Sequence, residues 1–248
     1  MPSVASEVAR LTEEIGELRR ELSRQDRLAE LGRVALHVAR QAQSQLSTVS
    51  LYHKLLRRRL SDDAGSLDVL AKVEHGLDEL TATIDDLLQF TAEPILRPER
   101  VRVRQLIDDI RESFSRQMAA QAIRLEIDVA LGETVLADRE LLRRGVANLL
   151  RNALDAMPDG GDLVITSYYG PSGVELEIAD SGPGIDAEAR RRACEPFYTT
   201  KPGGTGLGLA IVARIAAAHG GQVIAQNCPE GGAAFTLRFP RRSLEAAA

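Results

Sequence analysis

From Val8 to Leu87 apolar residues return at steps of three and four, and this repeat restricts the first third of the chain more than any other feature. Val8, Leu11, Ile15, Leu18, Leu22, Gln25 and Ala29 form one seam with a single polar position. Such a seam predicts a coiled coil, because only the 3.5-residue period keeps one stripe facing a partner helix. The repeat continues through Leu31, Ala35, Val38, Ala42, Leu46, Val49, Leu56 and Leu60. Ser61-Asp62-Asp63-Ala64-Gly65-Ser66 then interrupts it with turn and cap residues. It resumes at Leu70, Val73, Leu77, Leu80, Ile84 and Leu87. Two long amphipathic helices joined by a short turn make a hairpin, and one hairpin cannot cover both of its stripes. Two copies are therefore expected to pair as a four-helix bundle, a homodimer through residues 1–93.

Pro94 and Pro98 end the helical pattern, since proline lacks the helical N–H and turns its predecessor away from helix. Beyond them the periodicity changes. Segments 101–103, 123–129, 134–137, 163–169, 174–179, 222–226 and 233–239 read as strands. Segments 105–121, 138–157 and 205–219 read as helices, the second with Asp138 as N-cap. The fold class expected is α plus α/β: a helical hairpin, then a two-layer α/β sandwich with a mixed sheet. The organisation expected is an N-terminal coiled coil over 1–26, the hairpin over 27–93, a linker over 94–100, the α/β domain over 101–240 and a tail over 241–248.

Charge and cysteine content narrow the function. The formal net charge is -5, from 31 Lys+Arg against 36 Asp+Glu, which gives no electrostatic footprint for nucleic acid. Cys194 and Cys228 are far apart and lack metal-ligand spacing, as expected of two reduced thiols. No stretch reaches the about 20 apolar residues of a membrane span, and the charged N-terminus lacks a signal-peptide core. A cytoplasmic chain with no direct membrane span is expected.

The chemistry-bearing motifs lie in the second half. Asn148 and Asn152 stand at i and i+4 on one helical face. A carboxamide oxygen is a hard neutral ligand suited to Mg²⁺. Asp180-Ser181-Gly182-Pro183-Gly184-Ile185 follows an apolar strand and presents a carboxylate able to accept from an exocyclic amine. Glu195-Pro196-Phe197-Tyr198-Thr199-Thr200-Lys201 leads into Gly203-Gly204-Thr205-Gly206-Leu207-Gly208-Leu209. Glycines at a helix start offer backbone N–H groups and a helix dipole to phosphate, and Lys201 adds a point charge. The spacing matches neither the Walker loop nor the dinucleotide fingerprint.

These four motifs, in this order and ending in His219-Gly220-Gly221, resemble the ATP-binding boxes of sensor histidine kinases, within the wider gyrase/Hsp90/MutL-like ATPases. The resemblance covers about 140 residues. It implies ATP and Mg²⁺ as cofactors, with Asn152 on the metal and Asn148 supporting the phosphates. It implies that Asp180 takes the adenine amine in a pocket shaped by Gly182, Gly184 and Ile185. Gly204, Gly206 and Gly208 would bind phosphate on a movable lid between Ile185 and Thr205, with Leu207 and Leu209 beside them. Asp155, Phe197, Thr200 and Lys201 place the chain near the nitrogen-regulation-type branch. His219 is expected to be structural.

The hairpin departs from the family's pattern. Leu28-Ala29-Glu30-Leu31-Gly32 matches the opening of the phosphoacceptor box, and Leu46 and Tyr52 match its downstream positions. That register puts Arg40 at the histidine, Gln41 at the adjacent acid, Ser44 at the Asn/Thr and Gln45 at the proline. A guanidinium stays protonated and has no free lone pair, and a carboxamide is no general base. His37, three residues earlier, is the alternative acceptor. Two readings follow: an ATP-dependent protein-histidine kinase acting on His37 or on a partner's histidine, and an ATP-binding regulatory scaffold. Either would engage a response-regulator receiver domain or a partner kinase.

Overall fold

The computed structural model describes residues 38–60, 63–91, 95–170, 173–201 and 204–240. The seam over 1–26, His37, the Ser61-Asp62 turn and the 241–248 tail lie outside them. The chain divides into two compact units, 1–92 and 93–248.

In the first unit, helix α1 runs over residues 38–59 and α2 over Ala64–Thr91. Asp63 starts α2, its carboxylate accepting from the Gly65 N–H at 3.1 Å and the Ser66 hydroxyl at 2.5 Å. Polar contacts among the described residues join the helices. Gln43 Nε2 donates to Asp85 Oδ1 at 3.0 Å, Arg57 pairs with Glu74 at 2.7 Å, and buried His53 donates from Nε2 to the Leu70 carbonyl at 2.8 Å. His53 is thus packed between the two helices. The heptad residues Val49, Leu56, Val73 and Leu80 remain exposed on the single chain.

The second unit holds the elements β1 (Glu99–Arg102), α3 (Val103–Ala120), β2 (Ile123–Asp128), β3 (Thr134–Ala137), α4 (Arg139–Ala156), β4 (Gly161–Gly170) and β5 (Gly173–Asp180). Then come α5 (Ala187–Arg192), α6 (Gly208–Ala218), β6 (Gln222–Asn227) and β7 (Ala233–Pro240). β1 and β3 form a small antiparallel pair, and the main sheet has the order β2-β4-β5-β7-β6. Only its β2–β4 pair is parallel; the other three are antiparallel. The sheet is mixed, and with α3, α4 and α6 it makes the α/β sandwich.

The core follows from period matching. Ile165, Ile178 and Phe235 stand on one rung across β4, β5 and β7, and all are buried. They meet Leu142, Val146, Leu149, Leu150, Ala153 and Leu154, the apolar stripe of α4. α4 begins at Asp138, whose Oδ1 accepts from the Leu141 N–H at 3.0 Å while Oδ2 accepts from Arg97 N–H at 2.9 Å. Buried His219 completes this corner. Its Nε2 accepts from the Asp138 N–H at 2.9 Å, so Nδ1 carries the proton and donates to the Ile215 carbonyl at 2.8 Å. A ring fixed at both nitrogens in the core is structural.

Three local expectations shift. Val103 opens α3 instead of ending a strand, because Val103, Leu106, Ile107 and Ile110 form a buried helical stripe. The last helix starts at Gly208, not at 205, because Gly206 adopts a left-handed φ of 64°. A short helix, α5, stands inside the segment read as lid. Asp186 caps it by accepting from the Ala189 N–H at 2.7 Å, Glu188 lies in its first turn, and Arg190, Arg191 and Arg192 end it, in keeping with the helix dipole.

Candidate functional site

α4 carries both carboxamides. Asn148 is buried, and its Oδ1 accepts from Arg151 Nη1 at 3.1 Å. That donor fixes the amide's orientation and leaves Nδ2, a buried donor, without a hydrogen-bond partner among the described residues. A buried orphan N–H group is costly unless something external accepts from it. One turn on, Asn152 is half-buried, and its carboxamide makes no hydrogen bond among the described residues. Its Nδ2 lies 4.0 Å from where a Cβ on Gly208 would stand, so α4 and the start of α6 face each other closely there.

Asp180 ends β5 and is also buried. Its Oδ1 accepts from the N–H groups of Gly182 at 2.9 Å and Ala233 at 3.3 Å, and Oδ2 accepts none among the described residues. Burial pushes this carboxyl above the ordinary aspartate range, against the opposing pull of the two N–H groups and of the Lys201 ammonium. A Cβ on Gly182 would stand 3.1 Å from the Ala156 carbonyl, so the Asp180 loop rests on the last turn of α4.

Asn227 of β6 clamps the far end of that loop, accepting from Ile185 N–H at 2.9 Å and donating to the Ile185 carbonyl at 2.8 Å. Gly232 must be glycine: its φ is 90°, and a Cβ would fall 1.8 Å from the Asp180 carbonyl. Neither Asn227 nor the Gly232–Ala233 step stood out in the sequence, and nor did Arg151. The Gly231-Gly232 pair before the last strand was one available signal. Asn227 carried none, since its role comes from a partner 42 residues away that only the fold orients, whereas Arg151 stands at the i,i+3 helical spacing to Asn148 that the sequence already carries.

The segment 195–206 forms the other wall. Phe197 has a left-handed φ of 67° and is 65% exposed, and its N–H donates to the Gly206 carbonyl at 3.0 Å. A non-glycine residue in that region costs about 1–3 kcal/mol, so the surrounding contacts hold it there. A Cβ on Gly206 would stand 2.5 Å from the Phe197 carbonyl carbon, which is why this position admits only glycine. Thr199 Oγ1 accepts from the Lys201 N–H at 3.1 Å, and the Gly204 N–H donates to the Lys201 carbonyl at 3.2 Å. Arg192 ties α5 to this wall through Glu195 at 2.8 Å and lies 4.1 Å above the Tyr198 ring. Lys201 Nζ reaches Asp155 Oδ2 at 3.1 Å. Thr205 Oγ1 accepts from the Leu207 N–H at 3.3 Å, Leu207 is buried, and Ile185 and Leu209 pack on the core. Thr200 is exposed and makes no hydrogen bond among the described residues.

Asn148, Asn152, Asp155 and Lys201 are thus brought together with Gly208. Asp180, Gly182, Gly184 and Ile185 gather along the adjoining loop, and Phe197 is largely exposed. Arg40 and Gln41 lie in the other unit, exposed on α1. Among the described residues no group of three or more His, Cys, Asp or Glu side chains could hold a metal, and no helix is long and apolar enough to cross a membrane.

Residues 137–243 match the family described as histidine kinase-, DNA gyrase B- and HSP90-like ATPase. The signal transduction histidine-protein kinase AtoS of Escherichia coli K12 is 32% identical over 90% of this chain and 37% of its own length. The sensor histidine kinase ZraS of Klebsiella oxytoca is 30% identical over 90% of this chain and 49% of its own length. The chain therefore spans about half or less of the length of these relatives. Among solved structures, full-length ShkA in complex with AMPPNP superposes with a TM-score of 0.71 and 28% identity, over 84% of this chain and 46% of that one. With the site motifs assembled on this fold, the chain belongs to the sensor histidine kinase family, and its α/β unit is that family's ATPase domain.

Proposed function

We propose that the α/β unit binds Mg-ATP for phosphoryl transfer in two-component signal transduction, and that Arg40 does not accept the phosphoryl group. The observation that carries the ATP reading is the pair of waiting polar atoms, the Asn148 Nδ2 donor and the Asp180 Oδ2 acceptor. A donor of that kind suits a phosphate oxygen, and the second carboxylate oxygen of a buried aspartate suits an adenine amine. The ShkA neighbour, which carries AMPPNP, supports the same reading.

The residues present fit a magnesium ion at Asn152, whose unengaged carboxamide oxygen is a suitable hard ligand beside Gly208. Mg²⁺ bound there would supply charge neutralisation to the phosphate chain and fill its remaining positions with phosphate oxygens and water. Asn148 would donate to phosphate, Asp180 would accept from the base, and the N–H groups around Gly206 and Gly208 would meet the phosphates at the start of α6.

A second reading is favoured by one specific observation. Arg40 and Gln41 are both exposed on α1, where the family's nucleophile and its base would stand, and neither side chain can do that work. The protein is then an ATP-binding dimeric scaffold for a receiver domain or a partner kinase. The exposed Val49, Leu56, Val73 and Leu80 stripe supports pairing of two hairpins.

Calorimetry with Mg-ATP tests the first reading. Wild type is expected to bind, and Asn152→Ala and Asp180→Ala to weaken binding by about a hundredfold, the loss of one charge-assisted contact in a buried site. Absence of binding by wild type overturns it. Incubation with γ-labelled ATP separates the two readings. Acid-labile, base-stable label that disappears in His37→Ala identifies a self-kinase, and no label with ATP bound identifies the scaffold.

A further inference from the structure

The ammonium of Lys201 sits where the two walls of the site meet. Nζ lies 3.1 Å from Asp155 Oδ2 and 3.4 Å from the Asn152 backbone carbonyl. Its charge also reaches Asp180, where it opposes the effect of burial. Lys201 therefore stands beside the residue that would hold the metal, with a carboxylate occupying it.

That pairing is weak by construction. The two side chains are 40% and 41% exposed, and an ion pair in such a setting shifts an equilibrium by about fivefold at most. A triphosphate entering beside Asn152 brings several negative charges to the same ammonium, and charge-assisted bonds to phosphate are stronger than one solvated carboxylate contact. The same triphosphate meets Asp155 as a like charge a few ångströms away. Both effects push in one direction.

We propose that Asp155 is a stand-in anion: it holds the Lys201 ammonium beside Asn152 in the nucleotide-free site and yields it to the phosphate chain when nucleotide binds. This rests on the ATP-binding reading. Asp155 is then a positioning residue that acts through Lys201, and it sets the threshold a ligand must exceed. Triphosphate and diphosphate exceed it, and a monophosphate does not reach Lys201. Because Lys201 belongs to segment 195–201 and Asp155 to α4, the exchange also couples nucleotide arrival to the state of that wall.

The test compares wild type, Asp155→Asn and Lys201→Met as full chains. Amide hydrogen exchange of residues 195–201 is measured without nucleotide, and affinities for Mg-ATP and for AMP by calorimetry. Without nucleotide, both substitutions are expected to speed exchange of that segment, since either one breaks the pair. Affinity for Mg-ATP is expected to move in opposite directions, about three- to tenfold tighter in Asp155→Asn and about tenfold or more weaker in Lys201→Met. AMP affinity stays within about twofold throughout. Mg-ATP affinity that falls in both variants overturns the exchange and makes the pair a permanent brace. Wild type that binds no Mg-ATP overturns the ATP reading and the exchange with it, a result distinct from bound ATP with both variants weakened.

Discussion

Leu150 of α4 is 0% exposed, whereas Leu56 of α1 and Leu80 of α2 are 49% and 54% exposed. The same side chain thus meets two different situations in one protein. The α/β unit closes its own core, with sheet and helices each covering the other's apolar face. The hairpin has two helices for two stripes, and Val49, Leu56, Val73 and Leu80 stay exposed, the surface on which the proposed pairing with a second copy rests. The polar groups divide in the same way. In the α/β unit, the buried residues Asn148 and Asp180 each keep one polar side-chain atom without a hydrogen bond among the described residues. In the hairpin, Arg40 and Gln41 are exposed side chains with no nucleophile between them. On the proposed reading, one half is prepared for nucleotide, and the other lacks a nucleophile at Arg40.

The most direct way to break this comparison is to restore the hairpin chemistry. Arg40→His combined with Gln41→Glu supplies an imidazole and an adjacent carboxylate on exposed helix, where neither change disturbs packing. Wild type is expected to give no label on residue 40 with γ-labelled ATP, and the double variant a measurable acid-labile, base-stable signal. Continued silence in a double variant that binds ATP would mean that the deficit lies elsewhere.

Burial gives the next largest effect. Leu150→Ala is expected to cost about 2–5 kcal/mol of unfolding free energy, independent of protein concentration. Leu56→Ala and Leu80→Ala are expected to leave the α/β unit unchanged and to weaken self-association, visible in sedimentation as a dimer that dissociates at higher concentration. A concentration-dependent loss in Leu150→Ala, or none in the hairpin variants, would reverse the assignment of the two surfaces.

Most of the architecture was legible because periodicity carries it. The α4 stripe and the alternation of β4, β5 and β7 appear in the sequence as steps of 3.6 and 2, and Asp138 marked its helix start as a cap does. The turn before α6 was less legible. A run of glycines announces freedom, and only the close approach to Phe197 decides that Gly206 goes left-handed and delays the helix to Gly208. α5 was missed although its cap and its charges were all present, because a segment read as lid was not read as helix. Within the site, the asparagines and Asp180 stood out through residue type and spacing. Asn227 and Gly232 did not, since each acts on a partner that folding brings to it, and Arg151 did not although its i,i+3 spacing to Asn148 is local. The Lys201–Asp155 pair joins positions 46 apart, and nothing local in either motif specifies it.

The smallest expected effect concerns the cost of keeping Asp180 ready. Burial raises its carboxyl above the ordinary aspartate range, so the folded protein holds that proton more tightly than the unfolded chain does. The sign follows: stability from this group is fully present below the unfolded value near 3.8 and is lost as pH rises through the folded value. At neutral pH the ionised carboxylate is therefore a net burden on the empty domain. Asp180→Asn removes the charge and keeps an oxygen for the Gly182 and Ala233 N–H groups. Its melting temperature is expected to exceed that of wild type at pH 7 by a few degrees, roughly 2–4 °C for each kcal/mol regained. The gain should shrink as pH falls toward 4, while Mg-ATP binding is weakened at both. A variant less stable than wild type at pH 7 would mean that the N–H groups and Lys201 outweigh desolvation. Asp180 would then be a stabilising residue of the fold, and its unengaged oxygen would no longer point to a ligand.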